Sequence, residues 1–173
     1  MSTDTTKQGL WAGVGAIAYL LLFYVLHKAW MLHPLAYYSS LLIYLFFMYR
    51  TAEAVRVKQG GVIGWKEALR PAFTVFLLAN VLFYLFYWAM HQLDPDLVEV
   101  QREAMRNFLP KITPKDQLEE VLANLEEADL NVTPGRVLFG FARGAIGGFL
   151  LAALIAYVVQ QRSDQQPTQK SNS

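Results

Sequence analysis

One stretch of the sequence, residues 72–91, carries no charge apart from any proton on His91. A helix rises 1.5 Å per residue, so about 20 residues cover about 30 Å, the thickness of the hydrocarbon core of a bilayer. Trp65 and Trp88 stand near the two ends of this run, and indole rings are enriched at membrane–water interfaces. The stretch therefore predicts a transmembrane helix around which the rest of the chain must fold.

The composition favours a membrane protein over a soluble one. Hydrophobic residues make up 54% of the chain and charged residues 17%, against roughly 25% charged residues in soluble domains. The net charge of +1 provides no basic field for nucleic acid. The absence of cysteine excludes disulfides, thiolate catalysis and cysteine-ligated metal sites.

Four apolar runs define the expected fold class, an all-α integral membrane four-helix bundle. The spans are predicted at about 9–27, 34–50, 71–91 and 136–160, within one membrane domain that covers residues 9–162. The second run is the shortest, and its flanking side chains must reach the interface for it to cross. Residues 1–8 are expected to form a polar N-terminal tail and residues 163–173 a disordered C-terminal tail.

The segment between the third and fourth spans, residues 92–135, is the only sizeable polar stretch, with ten acidic and four basic residues. Three pairs of a capping side chain and a proline mark helix starts in it: Asp94-Pro95, Thr113-Pro114 and Thr133-Pro134. Apolar residues follow the first two pairs at helical spacing. The segment is therefore predicted to form two short amphipathic helices before the last span begins.

The distribution of basic residues sets the expected orientation. With four spans, the two termini and the connector at 50–70 share one side, which carries eight Lys and Arg residues against six on the other side. We therefore predict a bacterial inner-membrane protein with both termini cytoplasmic and residues 92–135 extracytoplasmic. In this arrangement the inner interface is anchored by Trp11 and Trp65, and the outer interface by Trp30 and Trp88.

The last span contains an unbroken series of small residues at every fourth position: Gly140, Gly144, Gly148, Ala152 and Ala156. Lipid provides no hydrophobic force between helices, so close backbone approach over small residues is a main source of helix association. The first span, with Gly9 and Gly13, is the expected packing partner. A homo-oligomer or a contact with another membrane protein is the alternative use of this series.

Two polar residues are expected inside the membrane. Arg143 falls in the outer half of the last span, and intramembrane charges are functional candidates. Its side chain either reaches the interface, pairs with an acid of residues 92–135 or binds an anionic lipid head group, with a transport path as the remaining alternative. Asn80 is expected to join helices by a hydrogen bond, with substrate lining as the alternative.

Three histidines, His27, His33 and His91, map to the outer interface near Asp94 and Asp96. Histidine and carboxylate are metal ligands, but the three histidines come from separate helix ends and form no local ligand motif. We therefore expect neither a metal nor another cofactor.

Three motifs resemble a known family: GGVIGWKEAL at 60–69, LDPD at 93–96 and AIGGFLLAALIAYVVQQR at 145–162. In these stretches the chain is similar to the small four-helix bacterial inner-membrane proteins catalogued as domain of unknown function 4199, found chiefly in Bacteroidota. The resemblance implies a membrane location and four spans. It implies no established activity and no catalytic residues.

The sequence favours a non-enzymatic accessory or scaffold protein that contacts membrane lipids and a partner, either another membrane protein or a second copy of itself. Nothing in it matches a phosphate loop, a nucleophile elbow or a metal-binding helix motif. The alternative is a subunit of a small oligomeric transporter or channel, based on Arg143 and Asn80. A lipid-modifying enzyme that uses His33 or His91 with a neighbouring aspartate is the less favoured alternative.

Overall fold

The computed structural model describes residues 3–164, and every regular element in that range is a helix. The all-α prediction is therefore confirmed. The elements are α1 Thr3–Leu26, α2 Lys28–Leu32, α3 Pro34–Ser39, α4 Leu41–Lys58, α5 Trp65–Leu93, α6 Leu97–Phe108, a 3₁₀ turn at Leu109–Lys111, α7 Lys115–Glu127 and α8 Pro134–Asp164.

Three of the described helices, α1, α5 and α8, are long and apolar enough to cross a membrane. Each has an 18-residue window with at most two charged side chains, which is close to the length that a hydrocarbon core requires. The chain is therefore a membrane protein by the length and composition of its helices.

The second predicted span, 34–50, is divided at Ser40 into α3 and α4. The Ser40 hydroxyl donates to the Tyr37 carbonyl at 2.6 Å, and such local bonds compete with the regular helix ladder. Beyond the break, α4 continues to Lys58. Two arginines and a glutamate between positions 50 and 56 interrupt its apolar character, so α4 lacks the long uncharged window of the other three.

Like α4, the helices α1 and α8 extend beyond their predicted ends. α1 begins at Thr3 rather than at residue 9, because Asp4 stabilises the positive end of the helix dipole and pairs with Lys58 at 2.6 Å. α8 continues to Asp164, and the Oγ of buried Ser163 accepts the Ile63 N–H at 3.2 Å. Residues 1–2 and 165–173 of the predicted tails lie outside the described residues.

α5 begins at Trp65 rather than at residue 71. The Glu67 carboxylate accepts the Gly64 N–H at 3.2 Å, which is half of a capping box. Pro71 consequently lies inside the helix, where it deprives the Glu67 carbonyl of its helical N–H donor.

α5 is the central helix, and it contacts α1, α4 and α8. Its buried face consists largely of small side chains with no exposed surface: Ala68, Ala72, Val75 and Ala79. Met48 of α4 and Ala152 and Ala156 of α8 belong to the same core. Small side chains allow neighbouring backbones to approach α5 closely.

Glycines of α1 and α8 both lie against α5. A Cβ added at Gly9 would be 2.8 Å from Leu78, and one added at Gly13 would be 2.7 Å from Leu82. On α8, the residues that face Gly140, Gly144 and Gly148 are Tyr84, Asn80 and Phe76 of α5, respectively. The predicted pairing of the two glycine series with each other is therefore wrong. The spacing identifies a close-packed face, but it does not specify which helix the face meets.

Contacts between helix ends occur at two opposite ends of the molecule. At the connector end, the start of α1 meets the end of α4 through Asp4 and Lys58, and the Arg162 guanidinium of α8 donates to the Tyr49 hydroxyl of α4. At the cap end, Lys28 of α2 meets Asp94 at the end of α5. The cap is defined here as residues 92–135, which include α6 and α7.

The α5–α8 contact predicts opposite effects for two neighbouring glycines. A Cβ at Gly148 would lie 2.0 Å from the buried Phe76 ring, so Gly148→Ala should lower the free energy of unfolding by about 1–3 kcal/mol through overpacking. Gly147→Ala is the matched control, because a Cβ there meets nothing within 4 Å, and it should leave stability unchanged or slightly raised. Melting temperatures of the two purified variants in detergent check this, and equal values would contradict the packing.

Candidate functional site

The polar centre of the cap end is the carboxylate of Asp94. Its Oδ2 lies 2.5 Å from Lys28 Nζ and accepts the Tyr24 hydroxyl proton at 2.8 Å. Lys28 also lies 3.9 Å from Asp96. The sequence indicated that Asp94 caps a helix, but α6 begins only at Leu97, and the Asp94 side chain joins the end of α5 to α1 and α2 instead.

The ion pair shifts the pKa of both partners. The hydrogen bond from Lys28, followed by that from Tyr24, lowers the pKa of Asp94 below its ordinary 3.8. The hydrogen bond to Asp94 raises the pKa of Lys28 above its ordinary 10.5. The stabilisation from Asp94 is present above its unfolded pKa and is lost as the pH falls through its folded pKa, whereas that from Lys28 is lost as the pH rises through its raised pKa. The pair therefore holds between about pH 4 and pH 10.

Arg102 of α6 clamps the end of α7. Its guanidinium donates to the carbonyls of Glu126 and Ala128, each at 3.0 Å, and to that of Leu125. These carbonyls lie at the C-terminal end of α7, where no further helical N–H is available to them. A cation at this position also complements the negative end of the helix dipole.

Two further arginines brace the cap. Arg106 of α6 pairs with the carboxylate of Glu126. Arg136, in the first turn of α8, lies 3.0 Å from the Asp129 carboxylate and donates to the Asn131 carbonyl at 2.9 Å. Together with Arg102, these contacts hold α6, α7 and the chain leading to α8 as one connected unit.

A tyrosine-lined cavity of about 330 Å³ lies between α3, α5, α6 and α8 at the cap end. Its polar lining comprises four tyrosines with Gln101 and Arg136: Tyr37, Tyr38, Tyr84 and Tyr87. The Tyr87 hydroxyl donates to Gln101 Oε1 at 2.9 Å and so connects α5 to α6. The cavity is of ligand-site size, and three of its polar residues, Tyr87, Gln101 and Arg136, are engaged in holding the cap.

His91 lies at the cap end of α5 and is 5% exposed. Its Nδ1 is 2.9 Å from the carbonyl of Tyr87, so Nδ1 carries the proton that this carbonyl accepts. The remaining ring nitrogen, Nε2, is buried and has no hydrogen-bond partner in the described chain. His91 also lines an open cavity of about 770 Å³ between the end of α5, the start of α6 and residues 131–134.

The two predicted intramembrane polar residues have different surroundings. Asn80 is buried, and its Nδ2 donates to the Phe141 carbonyl of α8 at 3.4 Å. Its amide therefore joins two helices, which is one of the two roles that the sequence suggested for Asn80. Arg143 is exposed on α8 and forms no hydrogen bond or ion pair within residues 3–164. The expected pairing of Arg143 with an acid of the cap does not form in that range.

The four tryptophans are not equivalent. Trp11 and Trp30 are more than half exposed, whereas Trp88 is 38% exposed and lines two cavities. The Trp65 indole donates to the Ala153 carbonyl of α8 at 3.2 Å, so it also serves as a packing residue.

The histidines and acids considered as metal ligands are not brought together. Within residues 3–164, no group of three or more His, Cys, Asp or Glu side chains is arranged to hold a metal ion. The His33 Nδ1 instead accepts the Leu35 N–H at 3.2 Å at the start of α3.

The sequence did not single out the tyrosines, Gln101 or Arg102. Tyr84, Tyr87 and His91 repeat at helical spacing along α5, and this pattern could have indicated one polar face at the cap end of the helix. The contact of Arg102 with the end of α7 depends on how the chain turns between α6 and α7. The positions of the charged residues alone do not predict that turn.

Comparison with known proteins identifies a family. A family model described as a protein of unknown function (DUF4199) matches residues 7–161. No curated protein and no solved structure matches the chain.

The Asp94 ion pair predicts an acid-dependent difference in stability. Asp94→Asn should lower the melting temperature at pH 7, because Lys28 loses its carboxylate partner. The difference from the unsubstituted protein should shrink as the pH falls below 3.8 towards the lowered pKa of Asp94, because the Asp94 carboxylate is neutralised as the pH passes that pKa. Melting temperatures in detergent from pH 3 to 8 measure this, with Glu120→Gln as the exposed, unpaired control. A difference that does not change with pH would be inconsistent with the ion pair.

Proposed function

The chain belongs to the DUF4199 family, and from that membership we propose a four-span bacterial inner-membrane protein that acts without catalysis, as an accessory or scaffold that binds a partner. Both termini lie in the cytoplasm, and the cap lies on the extracytoplasmic side.

The contacts between helix ends support four crossings. The Lys28–Asp94 pair joins the end of α1 to the end of α5, whereas the Asp4–Lys58 pair joins the start of α1 to the end of α4. If α1 crosses the membrane, the chain between Lys28 and Lys58 must cross it again. α3 and α4 together make this second crossing, and the basic second half of α4 reaches the inner surface.

The charge of the two ends supports the orientation. The end of α4 carries Arg56 and Lys58, and the start of α5 carries Lys66 and Arg70. Cytoplasmic loops and the helix ends beside them are enriched in such residues. Arginines are also present on the cap side, but Arg102, Arg106 and Arg136 are paired with cap carboxylates or carbonyls.

The accessory function is supported by the contacts that hold the helices of the cap together. Three arginines fix α6 and α7 to each other and to α8, so the cap is a shaped surface rather than a loose loop. Its outward acids on α7 are exposed and form no ion pair within residues 3–164: Asp116, Glu119, Glu120 and Glu127. We infer that this acidic face receives a partner with a basic surface.

The transporter alternative has less support from the polar residues between the helices. Asn80 is engaged with the Phe141 carbonyl, and the Ser39 hydroxyl bonds to Tyr19 at 2.7 Å and to the Ala36 carbonyl at 3.0 Å. These groups serve helix contacts and do not form a continuous path.

The absence of native cysteine allows a direct test of the topology. Val62→Cys, in the exposed connector, and Glu120→Cys, on α7, each introduce a single thiol. In intact cells whose outer membrane has been permeabilised, a membrane-impermeant maleimide should label Glu120→Cys and leave Val62→Cys unlabelled until the inner membrane is opened. Labelling of Val62→Cys alone would reverse the orientation, and equal labelling of both would rule out the single crossing, or any odd number of crossings, between them.

The binding function is tested by purification in a mild detergent. We expect a stoichiometric protein partner that is lost when Glu119→Lys and Glu120→Lys are combined, and also in high salt, because exposed charge contacts are screened. A homo-oligomer without another protein would favour the channel alternative. A partner retained by the double variant would show that the acidic face is not the binding surface.

A further inference from the structure

The unpaired nitrogen of His91 calls for a hydrogen-bond donor. Nδ1 faces the carbonyl of Tyr87 in its own helix, so Nε2, on the other side of the ring, points away from the α5 backbone. A buried polar atom without a partner costs about 1–3 kcal/mol. His91 also lines the cavity of about 770 Å³ described above, so a small turn of its ring would bring Nε2 to a hydrogen-bond donor bound there.

The charges around this polar cavity favour a cation. Two carboxylates, Asp96 and Glu99, line the cavity, and none of its lining residues is Lys or Arg. Both acids have only long ion pairs, 3.9 Å to Lys28 and 3.4 Å to Arg102. The Trp88 indole forms another part of the lining, and its ring face attracts cations.

An apolar groove of about 570 Å³ continues from this cavity between α5 and α8. The cavity and the groove share Trp88 and Pro134. The groove follows α5 from Trp88 to Val81, which is about 10 Å at 1.5 Å per residue. Its walls are apolar residues of the two helices, mainly Val81, Leu85, Val137, Leu138 and Phe141. It therefore runs from the cap end towards the hydrocarbon.

The start of α8 lies where the cavity and the groove meet. Thr133 Oγ1 accepts the Arg136 N–H at 3.4 Å, while the Gly135 N–H has no acceptor among the described residues. A Cβ added at Gly135 would meet nothing within 4 Å, so the first turn of α8 is open. Exposed N–H groups at the start of a long helix favour a phosphate.

We propose that this continuous site binds a phospholipid with a primary-ammonium head group. The acyl chain lies in the α5–α8 groove, the phosphate lies at the first turn of α8, and the ammonium lies beside Asp96, Glu99 and His91. The proposed site rests on the membrane placement proposed above. In that placement, the bound lipid comes from the outer leaflet of the membrane.

The hydrogens of the ammonium distinguish the lipid class. A primary ammonium carries three N–H donors, one for His91 Nε2 and the others for the carboxylates. A choline head group has the same charge but no N–H donor, and a glycerol head group has no positive charge. The site should therefore prefer phosphatidylethanolamine to phosphatidylcholine by about tenfold, the lower end of what one charge-assisted hydrogen bond contributes.

The preference is measured by native mass spectrometry of the purified full-length protein, titrated with phosphatidylethanolamine, phosphatidylcholine or phosphatidylglycerol of identical acyl chains. His91→Leu should lower the tenfold preference, and the matched control His27→Leu should retain it, because His27 is exposed and lines neither part of the site. Because His91 is buried, a second variant combines Asp96→Asn with Glu99→Gln at exposed positions. It should also lower the preference, whereas Glu119→Gln with Glu120→Gln on α7 should keep it.

Equal retention of the ethanolamine and choline lipids by the unsubstituted protein would overturn the proposal. So would an unchanged preference in both the His91→Leu and the Asp96/Glu99 variants. Glycerophosphoethanolamine, which lacks acyl chains, should bind far more weakly than the lipid, and equal binding would overturn the role of the groove. Failure of the membrane placement is recognised separately, because the protein would then be recovered from cells without detergent.

Discussion

The arrangement depends on how closely two helices can approach α5. Gly9 and Gly13 of α1 and the glycines of α8 contact α5 through different residues, so a single helix receives close contacts from two neighbours. In lipid there is little hydrophobic gain from bringing apolar helices together, and dispersion contacts across such narrow gaps supply much of the association. The remaining features of the molecule, including the position of Asn80 against α8, follow from this spacing.

The cap end is held by a different kind of force. Ion pairs and arginine–carbonyl bonds fix the cap, with Asp94 joining it to the first two helices and Arg102 closing it over α7. These bonds lie at the boundary of the apolar region, where charged groups keep part of their hydration and are less costly than inside it. The proposed lipid site is formed where the two parts meet, with an acyl groove supplied by the helices and a charged cavity supplied by the cap.

The sequence was sufficient for properties that reside in single runs of residues. The length and lack of charge of α1, α5 and α8 are visible without a partner helix. The sequence was insufficient where the partner of a residue depends on tertiary contacts. Small residues on α8 mark a close-packed face, but only the fold shows that Tyr84, Asn80 and Phe76 cover it. Asp94 followed by proline has the local form of a helix cap, yet Lys28, 66 positions earlier, takes its carboxylate. His91 lies in the sequence where an exposed interfacial residue is expected, but in the fold it is only 5% exposed.

The order of synthesis determines when the Asn80–Phe141 contact can form. α1, α4 and α5 are in mutual contact, and all three leave the ribosome before the cap and α8 do. At about 5–20 residues per second, the cap delays α8 by several seconds. Throughout that delay the Asn80 amide has no Phe141 carbonyl to bond, so a half-made chain presents a polar group to lipid that the finished chain conceals.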